Sequence, residues 1–157
     1  MLTPSAVQST YTRYIPVAQN GMLANETNWA ADTRTVETSA GIGFGLAVSQ
    51  GTNDKGCIVG GSAFVGITRA DPTLAQAAGL TTVDKYAHYD NAGILTMGDV
   101  WVFPDNAVTA GEAVYYSTTT GALGHSGGTI IEDARWMTSA AAGVLAVVRI
   151  GNIAGNQ

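Results

Sequence analysis

The chain is poor in charge. Only 12% of its 157 residues are Asp, Glu, Lys or Arg, about half the share of an ordinary soluble domain. Lysine occurs twice, as Lys55 and Lys85, the basic residues form no run or stripe, and the net charge is −5. Such a balance argues against nucleic acid as a partner, because that binding is driven by Lys and Arg neutralising phosphates. Cysteine is nearly absent as well. Cys57 stands alone, which excludes an intrachain disulfide and an all-protein Cys-based zinc site. No apolar run approaches the ~20 residues of a membrane span, so no membrane partner is expected. Residues 1–14 lack a basic stretch followed by an apolar one, so no signal peptide is expected. The sequon Asn25-Glu26-Thr27 is then without secretory context.

What is present is apolar and turn-rich. Hydrophobic residues make up 46% of the chain and glycine contributes 20 positions, which suits short strands and tight turns better than long helices. The length predicts one domain with a real core. With so little charge, part of the surface is expected to be covered by copies of the chain or by a partner. The stretch over residues 99–116, DVWVFPDNAVTAGEAVYY, organises the rest. Val100-Trp101-Val102-Phe103 reads as a strand covered on both faces. Pro104-Asp105-Asn106 supplies turn chemistry, and residues 113–116 read as a second core strand beyond a tight corner.

In chain order, residues 1–22 carry Pro4, Pro16, Tyr11 and Tyr14, with almost no charge beyond Arg13. Proline biases its predecessor toward extended geometry, so this segment is read as an extended arm, with a first strand tucked onto the domain or a frayed terminus as the alternatives. Tyr11, Arg13, Tyr14, Ile15 and Pro16 are its candidate partner-binding residues, in the manner of a strand added to a partner's sheet edge. Residues 34–38, 57–59, 64–68 and 143–150 are expected strands, and residues 71–79 a short helix capped by Asp71 with Pro72 in its first turn. Residues 84–91 are read as a polar loop, Glu132-Asp133 as a turn, and Trp101, Phe103 and Trp136 as core.

Motifs with chemical potential are few. Gly41-Ile42-Gly43-Phe44-Gly45 lacks the preceding buried strand and following helix of a dinucleotide fingerprint, and reads as a glycine-rich lead into a strand. Gly124-His125-Ser126-Gly127-Gly128 matches the nucleophile elbow G-x-S-x-G in letters, but no helix follows and no histidine lies beyond Ser126. The order His88, Asp99, Ser126 matches a chymotrypsin-type triad, a geometry that spacing cannot test. Tyr86, His88, Tyr89 and Asp90 are read as a polar rim rather than a metal half-site. No catalytic residue, cofactor or metal is assigned.

Six short blocks follow one another along the chain: Gly21-Met22-Leu23-Ala24; Gly41-Ile42-Gly43-Phe44-Gly45-Leu46-Ala47-Val48; Phe64-Val65-Gly66-Ile67-Thr68; Gly98-Asp99-Val100-Trp101-Val102; Ala110-Gly111-Glu112-Ala113-Val114-Tyr115; and Leu145-Ala146-Val147-Val148-Arg149-Ile150. In order and spacing, over about residues 21–150, they resemble the small capsid cement, or decoration, proteins of tailed bacteriophages. Residues 1–20 lie outside that resemblance. It implies a structural virion protein, made in the host cytoplasm, that coats the outside of a phage head and ties neighbouring major capsid proteins together. A homo-oligomer, trimer or dimer, is expected with it. The expected fold is all-β: a single small β-barrel or jelly-roll-like domain over residues 23–157, with the extended N-terminal arm over residues 1–22. The rival readings are a serine hydrolase using Ser126 and a carbohydrate-binding β-module on the virion surface.

Overall fold

The computed structural model describes residues 18–26, 28–75 and 84–151. Its elements are, in order, β1 (Ala30–Val36), β2 (Ile42–Gly43), β3 (Ala47–Gln50), β4 (Gly56–Val59), β5 (Phe64–Thr68), α1 (Pro72–Ala75), β6 (Lys85–Tyr86), β7 (Asn91–Val102), β8 (Ala113–Tyr116), β9 (Leu123–Gly124), β10 (Thr129–Trp136) and β11 (Ala146–Ile150). The domain is all-β, as expected. Strands β1, β4, β3, β5 and β7 form a barrel that closes where β1 pairs back onto β7. The β1–β4 pair is parallel, with Val36 opposite Cys57, and the other barrel pairs are antiparallel.

One long strand joins the two parts of the fold. The first half of β7 lies in the barrel against β1 and β5, and its second half, Gly98 to Val102, pairs with β11. From there a sheet continues through β11, β10, β8 and β9. Alternation along the strands supplies two cores from one backbone. Ile94 joins Val36, Val48 and Cys57 in a cluster drawn from the barrel strands. Its neighbour Leu95 points the other way, joining Ala47 and Ile67 against Trp136, Tyr116, Leu123 and Ile150.

Several local expectations need correction. The strands ending at Val102 and beginning at Ala113 are not partners across a tight corner. Two strands, β11 and β10, lie between β7 and β8. The apolar run at the end of the chain takes the place beside β7, because Val147 and Val148 pair with Trp101 and Val100. Nor is the first strand covered on both faces. Val100 and Val102 are fully buried, but Trp101 is half-buried and Phe103 is 48% exposed; of the three aromatics expected in the core, only Trp136 is there. Residues 84–91 are not all loop, since Lys85 and Tyr86 pair with Gly43 and Ile42. Glu132 and Asp133 sit inside β10 rather than in a turn. A bulge between Ile130 and Arg135, with Asp133 at φ 57°, lets the strand carry exposed acids without ending.

Other expectations match closely. Strands β5 and β8 have the expected bounds. Helix α1 starts behind an Asp71 cap, whose Oδ1 accepts the Thr73 amide at 2.9 Å, and residues 76–83 lie outside the described residues.

Candidate functional site

A groove lies beside the second half of β7. Residues 18–24 run along that strand instead of leaving the domain. The Gly21 amide donates to the Trp101 carbonyl at 2.7 Å, the Trp101 amide to the Met22 carbonyl at 2.8 Å, and the Ala24 amide to the Asp99 carbonyl at 2.9 Å. Glycine is required at position 21: φ is +81°, and a Cβ there would meet the Ala70 nitrogen at 2.8 Å. Asn20 ties the walls together. Its Nδ2 donates to the Phe44 carbonyl at 2.8 Å, and its Oδ1 accepts the Phe103 amide at 3.3 Å. A side chain on Gly45 would collide with that same carboxamide, so the glycine-rich segment shapes a wall. The far wall is the turn before β11, held by a 2.9 Å bond from the Gly143 amide to the Pro104 carbonyl.

These walls enclose about 1330 Å³, lined mainly by apolar groups that include Met22, Phe44, Trp101, Phe103, Val144 and Leu145. Met22, Phe103 and Val144 are 44%, 48% and 54% exposed, an unusual concentration of large apolar side chains on one surface. Covering the exposed half of one such side chain stabilises a contact by roughly half of the ~1.5–3 kcal/mol of full burial. Among the described residues, Asp84 is the one charged residue in the lining, and its Oδ1 accepts from Gln19 Nε2 at 3.3 Å. The groove is equipped for burial and orientation, and its lining offers no nucleophile–base pair.

The residues singled out by sequence fall elsewhere. Tyr11, Arg13, Tyr14, Ile15 and Pro16 lie outside the described residues. Ser126 is exposed in the bend between β9 and β10. The adjacent His125 turns its ring Nδ1 to Asn106 Oδ1 at 2.9 Å. Asp99 is held by Arg149 through two bonds of 2.7 and 2.9 Å, and that carboxylate raises the Arg149 pKa further. His88 stacks on Tyr89 at 3.6 Å between ring centroids. His88 and Asp99 therefore have other partners, and no hydrogen bond links His88, Asp99 and Ser126. Tyr86 is buried and its hydroxyl donates to the Arg69 carbonyl at 2.7 Å, so burial first of all raises its pKa. Asp90 accepts the Ala87 amide at 2.8 Å. Among the described residues, no group of three or more His, Cys, Asp or Glu could hold a metal ion.

Sequence reasoning missed the groove because its residues come from five separate segments. One signal was available in Val100-Trp101-Val102-Phe103. Two valines on one face and two aromatics on the other mark a strand whose faces have different work.

The family model described as structural cement protein (E217 gp24/Pam3 gp6) matches residues 7–151. It begins well before the blocks recognised in the sequence and takes in Tyr11, Arg13, Tyr14, Ile15 and Pro16. Among solved structures, a chain of the capsid of Myoviridae phage XM1 is similar, with a TM-score of 0.68 and 16% identity, covering 94% of this chain and 99% of that one. The head fiber gp8.5 N base of bacteriophage phi29 follows at a TM-score of 0.48 and 11% identity, covering 79% and 95%. No curated protein matches the sequence.

Proposed function

This chain belongs to the phage structural cement protein family, and on that premise we propose that it binds the outer surface of an assembled phage head and ties neighbouring major capsid proteins together. The carrying observation is the extent of the family match, which runs through the barrel, the sheet beyond it and the preceding segment from residue 7. The action is thermodynamic. A protein that binds only the assembled lattice stabilises it by mass action, and many modest contacts on one shell act together.

The build of the domain suits that task. The barrel leaves no free edge among its five strands, and the Arg149–Asp99 pair fastens β11 to β7 across the joint between barrel and sheet. Such a body transmits load between contacts without rearranging. Hydrolysis at Ser126 and glycan binding have no supporting arrangement of side chains. The test is sedimentation of purified heads with added protein. The expected result is saturable co-sedimentation in a fixed ratio to the shell protein, with heads made more resistant to heat. Protein left wholly in the supernatant at saturating concentration would overturn the proposal.

A further inference from the structure

We infer that the apolar groove beside β7 receives residues 11–17 of a second copy of the same chain, so that copies are linked to one another as well as to the shell. The place where the segment joins the domain is the first argument. Ala18 and Gln19 belong to the groove wall, so residues 1–17 meet the domain at its rim. Pro16 locks its own φ and biases Ile15 to extended geometry. An extended run from Val17 to Tyr11 would span up to ~20 Å, at ~3.3 Å per residue, long enough to reach a neighbouring copy.

Chemistry is the second argument. Residues 11–17 present Tyr11, Tyr14, Ile15 and Val17 around Pro16, with Arg13 as their one charge. Among the described residues, the groove is lined by Phe44, Trp101 and Phe103 with Asp84 as its one charge. Extended proline-containing segments dock in aromatic-lined grooves because little conformational freedom remains to be lost. A single cation opposite a single anion fixes direction along such a groove. Exchange of this kind can close reciprocally in a dimer or head-to-tail in a trimer.

The experiment uses full-length protein, free and bound to heads. One copy carries Tyr14→Cys and a second, size-tagged copy carries Val144→Cys, and a short bismaleimide is added. Cys57 is buried, with its thiol pushed up to about 11 by that burial, so it contributes little background. The expected result is a mixed cross-linked dimer at least tenfold above a control pairing Tyr14→Cys with Ser126→Cys. Adding Phe103→Asp to the Val144→Cys copy, or Arg13→Glu to the other, should reduce it tenfold.

Three outcomes overturn the inference. The first is no mixed product in either setting although both thiols take a monofunctional maleimide. The second is a concentration-independent link within single copies of the Tyr14→Cys, Val144→Cys double variant, which assigns the groove to its own chain. The third is a Tyr14→Cys product formed only with the shell protein. Head binding is read separately by sedimentation, so copies that sediment with heads but never link to one another sink this inference and leave the function standing.

Discussion

The barrel shuts its hydrogen-bond ladder on itself, with β1 pairing back onto β7, whereas the sheet carried by the far half of β7 runs outward to β9 and stops. Their cores differ accordingly. The barrel cluster is packed mostly from modest side chains such as Val36, Val48, Cys57 and Ile94. The cluster under the open sheet holds Trp136 and Tyr116, the two largest fully buried side chains. The two rings of the barrel cluster, Phe44 and Tyr86, come from outside the five barrel strands, while a sheet laid over a barrel wall leaves a wider layer to fill. The outer edge is blunted by shortness, since β9 has two residues, and the Asp105 amide crosses to the Leu123 carbonyl at 2.7 Å. Where the two parts meet, neither covers the second face of β7, and the groove lies there. The joint is what the fold leaves available for binding.

That contrast can be broken most forcefully from the sheet side. Trp136 is fully buried and its Nε1 donates to the Gly124 carbonyl at 3.2 Å, so Trp136→Ala should cost ~3–5 kcal/mol. Trp101→Ala, at the half-buried groove wall, should cost clearly less in the same chemical denaturation series. Equal losses would mean that the groove wall is core.

The joint comes next. Asp99→Asn leaves Arg149 without its carboxylate at a partly buried site and should cost ~1–3 kcal/mol. Urea midpoints at two salt concentrations check this. A loss that vanishes in high salt would show an ordinary surface pair.

In the barrel, Ile94→Val removes one methylene from a fully buried side chain and should cost ~0.5–1.5 kcal/mol. A loss as large as that of Trp136→Ala would reverse the ranking of the two cores.

A pH-dependent effect is expected at one barrel loop. Amides of Asn53 and Thr52 donate to Glu37 at 2.9 and 2.6 Å, holding its carboxyl below the ordinary 4.5, the Asn53 amide foremost. A depressed folded value means that the contribution is present above the unfolded value and fades as pH falls through the folded one. Hydrogen exchange at Thr52 and Asn53, corrected for intrinsic rates, should therefore lose protection in acid before the strands do. Unchanged protection down to global unfolding would show that the carboxylate does not hold the loop.

The smallest effect belongs to Ser126→Ala, expected within about ±0.5 kcal/mol for an exposed bend and without consequence for sedimentation with heads. Ester hydrolysis by the native protein that this substitution abolished would count against a purely structural role.

Residues that act through local chemistry were legible in advance. Phe64–Thr68 and Ala113–Tyr116 are β-formers bounded by turn residues, and both are strands with those bounds. Asp71 with Pro72 announces a helix start, and the all-β class follows from many glycines and short apolar runs. Pairing was not legible. Nothing near Val102 says that Val147 will lie beside Trp101, because the choice between partners is made by packing between distant segments. Exposure of Phe103 has the same origin. Its sequence neighbours are those of a core strand, and only the way Asn20, Gly45 and Gly143 fold around it leaves that face open. The sequence by itself determined strands such as Phe64–Thr68 and Ala113–Tyr116 and the helix start at Asp71, since those preferences reside in each residue's own backbone and immediate neighbours. The tertiary structure alone decided barrel closure, the order of strands and the position of the groove, since these depend on contacts between residues far apart in the chain.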